Sequence, residues 1–258
     1  MTNNDLLVLK NKEVLVTGGC GFIGSEIVKQ LSMIGANVTI IDNLSSGKEK
    51  YVEGLSNVKL ITGDLLDDHT IESVVKDKEY VINNAALPFI PDSYYMPKKF
   101  FDVNVNATIS LALAVIKEKK AKRFVHISSS EIYGTARYTP MDENHQTTPQ
   151  STYAVSKLAG ERVIFTMHKE HNLPAVIIRP FNSFGPNITQ PYIIPEIIRQ
   201  MEKNDVIKLG NLNAKRDLTY VTDTARGIIL SLVKEGVIGE VINIGSQRSF
   251  SIKDLVSL

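Results

Sequence analysis

The 258-residue sequence is short of several things, and each shortage excludes something. It has a single cysteine, Cys20, so no intrachain disulfide can form and a reducing compartment suits it. It lacks a charge excess: 29 Lys and Arg against 28 Asp and Glu leave a formal +1, with a pI near 7.8. Nucleic-acid and anionic-membrane binders carry a clear basic surplus, so neither partner is expected. No apolar run approaches the ~20 residues needed to cross a bilayer. The polar start Met1-Thr2-Asn3-Asn4-Asp5 is no signal peptide, and a cytoplasmic protein is expected. Internal repeats and low-complexity segments are missing too. What is present is an ordinary globular composition, 43% hydrophobic and 22% charged, on a chain long enough to bury its own core. The length fits one α/β domain with something small added.

Short β-branched runs alternate with longer segments of helical period. Val14–Val16, Val38–Ile41, Val58–Ile61, Tyr80–Ile82, Phe124–Ile127 and Ala175–Ile178 read as buried strands. Helices are predicted near Phe22–Met33, Thr70–Val75, Lys98–Lys117 and Tyr153–His171. This alternation predicts βαβ units and a Rossmann-type, doubly wound parallel sheet, with function at the carboxyl ends of the strands. After Arg179 prolines crowd in at 180, 186, 191 and 195. A helix near Glu196–Lys203, a strand at Val206–Leu209, a helix near Val221–Lys234 and a strand at Val241–Ile244 follow. The expected division is a cofactor domain over 1–180 and a smaller substrate lobe over 181–258, with some later elements returning to the first sheet. Lys117, Lys119, Lys120, Lys122 and Arg123 read as a solvated helix end, where cations complement the dipole.

The first strand runs into Thr17-Gly18-Gly19-Cys20-Gly21-Phe22-Ile23-Gly24, where the next helix opens. Glycines at such a turn allow a tight bend, close approach of a pyrophosphate and close helix–strand packing, while the helix N-terminus offers free N–H groups to the anion. Asp42 follows 18 residues after Gly24, at the end of the second strand. A carboxylate there accepts hydrogen bonds from an adenosine ribose and repels a 2′-phosphate, which predicts NAD rather than NADP. Lys48 and Lys50 are close enough in sequence to keep NADP open. Asp64, after the third strand, and Asn84-Ala85-Ala86, after the fourth, are further candidates for the adenine and for close passage of the cofactor.

Tyr153 and Lys157 are four apart and share one helix face. A tyrosine titrates near 10, so serving as a base near pH 7 requires stabilising the phenolate by ~4 kcal/mol. A neighbouring ammonium and a positive nicotinamide both act in that direction.

The ordered set Thr17-Gly18-x-x-Gly21-x-x-Gly24, Asp42-Asn43-Leu44, Gly63-Asp64, Asn84-Ala85-Ala86, Ser128-Ser129-Ser130-Glu131-Ile132-Tyr133-Gly134, Tyr153-x-x-x-Lys157, Arg179-Pro180-Phe181-Asn182-Ser183-Phe184-Gly185-Pro186 and Arg216-Asp217 resembles the extended short-chain dehydrogenase/reductase family. Its members act on nucleotide-diphosphate sugars as epimerases, dehydratases and decarboxylases. The resemblance covers essentially the whole chain. It implies that Tyr153 takes the proton from a sugar 4-hydroxyl while NAD accepts the C4 hydride. Lys157 would bind the nicotinamide ribose and lower the tyrosine pKa, and Ser129 would hydrogen-bond the same hydroxyl. The implied cofactor contacts are Gly18, Gly21, Phe22, Ile23, Gly24, Asp42 and Asn43, then Asp64, Leu65, Ala85 and Ala86, together with Tyr153 and Lys157. Asn182, Arg216 and Asn104 are the implied contacts to a UDP-, GDP- or dTDP-linked sugar. Arginine suits a pyrophosphate through its planar fork of donors. No metal ligand is expected, and a homodimer built on the helices near Lys98–Lys117 and Tyr153–His171 is implied.

Oxidation at C4 acidifies the C5 proton, so a carboxylate in reach can remove it and expel the 6-hydroxyl. Glu131 occupies the position of that glutamate in the family's 4,6-dehydratases, while Ser130 replaces the aspartate that often protonates the leaving group. A 4,6-dehydratase is therefore expected first and a 4-epimerase second. A catalytically silent NAD-binding module is a third possibility, weakened by the retention of Tyr153, Lys157 and Ser129. Phe181 and the loop Ala86–Ser93 depart from the family's commoner patterns. Ser251 and Asp254 fit an N-cap and its N3 partner, predicting a helix from Ile252 and a substrate lobe that is truncated at its C-terminus.

Overall fold

The computed structural model describes residues 3–203 and 206–257. Its centre is a seven-stranded parallel sheet: β1 (Glu13–Thr17), β2 (Asn37–Asp42), β3 (Val58–Thr62), β4 (Tyr80–Asn83), β5 (Arg123–Ile127), β6 (Ala175–Pro180) and β9 (Val241–Ile244), in the order β3-β2-β1-β4-β5-β6-β9. Both faces are covered, as a parallel sheet requires. Val14 and Val16 point to the side of α1 (Phe22–Ile34) and α8 (Val221–Val233), with Ile27, Leu31, Ile228 and Leu232. Leu15 points to the other side, joining Ile71 of α2 (Asp68–Val75), Leu111 of α5 (Ala107–Glu118) and Ile164 of α6 (Thr152–His171). Strict two-residue alternation between two apolar layers explains why the strands read as continuous hydrophobic runs.

The helix expected at Lys98–Lys117 arrives in three pieces: α4 (Pro97–Phe101), a π-helical turn (Asp102–Asn106) and α5. Before it, Ile90–Tyr95 forms α3, which sequence periodicity did not indicate. The stretch Pro97–Glu118, 22 residues with mean hydropathy 1.4, is long and apolar enough to cross a bilayer by length and composition. It lies instead against the sheet, with Phe100, Val105, Leu111 and Val115 buried.

Beyond β6 the chain builds a second, three-stranded sheet, β10 (Ser249–Ser251), β8 (Lys215–Tyr220) and β7 (Asn182–Phe184), while α8 and β9 return to the main sheet. The strand expected at Val206–Leu209 does not form. The Gln200 side chain of α7 (Ile193–Met201) accepts from the Lys208 N–H at 2.6 Å and donates to its carbonyl at 3.0 Å, occupying the groups a ladder would need. The C-terminal cap is as expected. Ser251 Oγ accepts from Asp254 N at 3.1 Å, Asp254 Oδ2 accepts from Ser251 N at 2.8 Å, and α9 spans Ile252–Val256.

Candidate active site

The strand order reverses between β1 and β4, and the crevice at such a switch point is where α/β sheets bind ligands. Here it is stitched shut at its base by Thr17, whose Oγ accepts from Asn84 N at 3.0 Å and Ala85 N at 2.9 Å and donates to Asn83 Oδ1 at 3.1 Å. Above it opens a cleft of about 770 Å³ running from the glycine turn to the small sheet.

The three glycines divide the work. Gly18 has φ +65°, and a Cβ there would come within 2.8 Å of Ala85 Cα, so it makes the tight turn against the neighbouring strand end. Gly24 packs on Gly18: an added Cβ would lie 2.1 Å from Gly18 O. It is not on the cleft wall, and its close approach to Gly18 gives it a packing role. Gly21 caps α1, and its missing Cβ would meet only Gly18 O, at 3.3 Å. Its bare side fronts the cleft beside the free N–H groups of the helix, a cradle shaped for a pyrophosphate. Asp42 is buried, its two carboxylate oxygens accepting from Cys20 N at 2.9 Å and Leu44 N at 2.8 Å. Burial first, then the Asp42 and Glu49 charges, pushes the Cys20 thiol up to about 12, which keeps it inert. Lys48 and Lys50 flank the Tyr51 ring and are not on the cleft wall. Asn43 and Asp64 are exposed on the cleft wall, with Asn43 Nδ2 donating to Asp64 Oδ2 at 3.1 Å, and the buried Leu65 lines it beside them.

At the middle of the cleft α6 presents Tyr153 and Lys157 from one face, started by the Ser151 cap on Ala154 N. Ser129 ends the loop after β5 and caps a 3₁₀ turn, Ser130–Tyr133, by accepting from Glu131 N at 3.1 Å. Burial pushes the Tyr153 phenol up to about 12, against a lowering hydrogen bond with Ser129 and with a further rise from the Glu131 charge. Lys157 is pushed down to about 8 by burial, opposed by the Glu161 charge, and its ammonium donates to Ile127 O at 2.5 Å. Ser129 thus relieves Tyr153 directly, and the Lys157 ammonium, one turn along the same helix face, is held by the Ile127 carbonyl.

Ser130, Glu131, Asn182 and Arg216 all reach the cleft, as do Phe22, Ile23, Ala85 and Ala86. Asn104 does not. It sits buried in the π turn, its amide accepting from Leu87 N at 2.9 Å and donating to Ser156 Oγ at 2.9 Å, which braces the Leu87 segment of the wall. Tyr192 was not singled out from sequence. It lines the cleft near Tyr153 and Glu131, whose charges add to the burial that raises its phenol well above the ordinary tyrosine range. The resemblance implies only that the stretch Pro191–Pro195, in which it falls, encloses the nucleobase.

A doubly wound sheet whose glycine turn faces a Tyr/Lys helix across one cleft defines a dinucleotide-dependent redox enzyme of the short-chain dehydrogenase type. Residues 14–245 match the NAD dependent epimerase/dehydratase family, and the chain belongs to that family, within the extended short-chain dehydrogenases. A UDP-N-acetyl-alpha-D-glucosaminuronate decarboxylase of Bacillus cytotoxicus is 32% identical over 255 residues, covering 95% of this chain and 78% of that one. A dTDP-glucose 4,6-dehydratase of Streptomyces niveus is 31% identical over 243 residues, with coverage of 90% and 72%. The structure of a UDP-N-acetylglucosamine 4-epimerase from Methanobrevibacter ruminantium in complex with UDP-N-acetylmuramic acid superimposes with a TM-score of 0.89, at 35% identity, covering 96% of this chain and 81% of the other. Three reactions are thus represented at similar distance, so the reaction has to be argued from the site.

Proposed function

We propose that the protein is an NAD-dependent enzyme acting on a nucleotide-diphosphate sugar through oxidation at C4, and that it completes a 4,6-dehydration. The observation carrying this reading is the carboxylate of Glu131, set on the same cleft wall as Tyr153 and near enough to act on its phenol. When bound, NAD would supply the acceptor for the C4 hydride and its donor back to C6 once water is lost, with a proton returned to C5, so the reaction is redox-neutral overall. Gly18, Gly21 and the α1 N-terminus hold the pyrophosphate in this reading, Asp42 the adenosine ribose, and Asn43, Asp64 and Leu65 the adenine end.

Tyr153 receives the proton of the sugar 4-hydroxyl, with Ser129 donating a hydrogen bond to the same oxygen. Lys157 sets the nicotinamide-side ribose and contributes positive charge. Glu131 then removes the C5 proton, acidified by the 4-keto group, and Ser130 stands beside the departing 6-hydroxyl. Asn182 and Arg216 orient the sugar and the diphosphate. Glu131→Gln should abolish formation of a 4-keto-6-deoxy product, a fall of roughly 10²–10⁴-fold, since the loss is that of a general base. C4 oxidation, read as transient absorbance at 340 nm, should persist. The assay runs UDP-, GDP- and dTDP-linked hexoses and hexosamines with product identification by NMR. A pure C4 epimer from the parent protein rejects dehydration.

That epimer is the second reading, supported by Ser130, which is a weak acid where dehydration benefits from a strong one. Asp42→Asn should weaken NAD binding about tenfold and narrow the preference over NADP, because one of the two backbone N–H groups loses its acceptor and the ribose loses a charged partner. Calorimetric titration with both dinucleotides decides it, and tighter NADP binding by the parent protein overturns the role of Asp42. The working unit in this reading is a cytoplasmic homodimer. Leu113 of α5 and Val155 of α6 are exposed on neighbouring helices and fit a helical interface.

A further inference from the structure

Behind the cleft lies a buried ion pair that none of the roles above uses. Glu161 is fully buried on α6, one turn beyond Lys157 on the same face. Its carboxylate accepts from Arg179 Nη2 at 2.6 Å and Nε at 3.0 Å and from Ser128 Oγ at 2.7 Å. Arg179 is the penultimate residue of β6, three residues before Asn182, and Ser128 immediately precedes Ser129. Arg179 Nη1 also donates to Tyr133 Oη at 2.7 Å and to Glu143 O at 3.2 Å, and Tyr133 Oη donates to Asn243 Oδ1 at 2.8 Å.

A buried pair of this kind is weak evidence for stability, because desolvating two charges offsets most of their attraction. Its placement calls for another account. The three strands of contact lead to three site elements: the helix carrying Tyr153 and Lys157, the loop carrying Ser129 and Glu131, and the strand end carrying Asn182. We propose that Glu161 is a positioning residue for the reaction, tying these elements into one rigid frame and serving as the buried countercharge for Lys157. The inference rests on the functional reading above for the importance of those residues, but its geometry is independent of which sugar is bound.

The groups around Lys157 support the countercharge role. Arg179 faces Glu161 from β6 and in turn binds Tyr133 of the 3₁₀ turn, and Tyr153 lies on the same helix as Lys157. His126, on β5, has one ring nitrogen near Asn83 Nδ2 at 3.2 Å and the other without a partner among the described residues. It is held well below the ordinary histidine range by burial and by the Lys157 charge. Neutral His126 therefore offers Lys157 no compensation, and Glu161 is the group that opposes the loss of its proton.

The test is an NMR titration of the Lys157 side chain, assigned with Lys157→Met, in the full-length protein, in Glu161→Gln and in the double variant Glu161→Leu/Arg179→Met. Replacing both partners by apolar residues is the substitution such sites tolerate best, so the double variant decides if Glu161→Gln does not fold. The Lys157 midpoint should fall by about one pH unit in Glu161→Gln and move in the same direction, by less, in the double variant. An unchanged midpoint overturns the countercharge. Ser128→Ala removes one hydrogen bond and should lower kcat several-fold with NAD affinity unchanged, while an unchanged kcat overturns the frame. If the parent protein turns over no sugar nucleotide, the functional reading falls, and the titration still decides the role of Glu161.

Discussion

Tyr153→Phe should leave a folded, NAD-binding protein whose turnover is reduced by roughly 10²–10⁴-fold, the contribution of a positioned general base. The phenyl ring keeps the packing, including its edge-on contact with Phe100 at a centroid distance of 6.4 Å. What disappears is an oxygen hydrogen-bonded by Ser129. Its desolvated neutral form is already favoured, so removing it should leave the melting temperature unchanged within a few degrees. The pH profile of the parent protein carries the complementary information. A phenol held near 12 is almost wholly protonated at neutral pH, so the rate should rise as pH increases and more of it ionises. Lys157 loses its charge as pH passes through about 8, which removes positive charge the phenolate needs. Rate should therefore climb from pH 6 to about 8 and level off above it, because the growing phenolate fraction offsets the loss of the lysine charge. A profile flat between pH 6 and 10, or turnover retained by Tyr153→Phe, removes Tyr153 from the base role.

The parts of this site that were legible in the sequence are those that local chemistry dictates. The glycine turn, the acid at the end of β2 and the Tyr/Lys spacing each express a backbone or helix rule within a few residues. The sheet was legible for the same reason, since strands buried on both faces must be apolar throughout. The small sheet was not. Lys215–Tyr220 reads as a polar segment because it pairs at the edge of three short strands, and Asn182–Phe184 is too brief to show a period. The π turn that sets the Asn104 amide on Leu87 and Ser156 is likewise not written in the local sequence. The Glu161–Arg179 pair joins residues 18 apart in sequence through the contact of α6 with β6, and no local pattern encodes such a partnership.

The two glycines of the cofactor turn separate fold from ligand, and alanine at each should give opposite signatures. At Gly24 a methyl would sit 2.1 Å from Gly18 O and 2.9 Å from Asn84 Nδ2. The first neighbour is backbone fixed by β1 and by the Gly18 N–H bond to Ile41 O at 2.8 Å, so it cannot give way. Gly24→Ala should therefore destabilise the protein by about 3 kcal/mol or more, the upper range for overpacking a tight interior. For a domain of this size that is a fall in melting temperature of roughly 6–12 °C. At Gly21 the same methyl meets only Gly18 O at 3.3 Å, a contact relieved by a few tenths of an ångström. Gly21→Ala should melt close to the parent protein. It would nonetheless stand a methyl in the cradle where the pyrophosphate must approach the α1 N–H groups, and two or three hydrogen bonds to an anion, at ~1.5 kcal/mol or more each, depend on that approach. NAD affinity should fall by about 100-fold or more in Gly21→Ala, measured by calorimetry beside thermal melts of both variants. Equal melting losses in the two variants, or undiminished NAD binding by Gly21→Ala, would show that the cofactor does not lie over this turn.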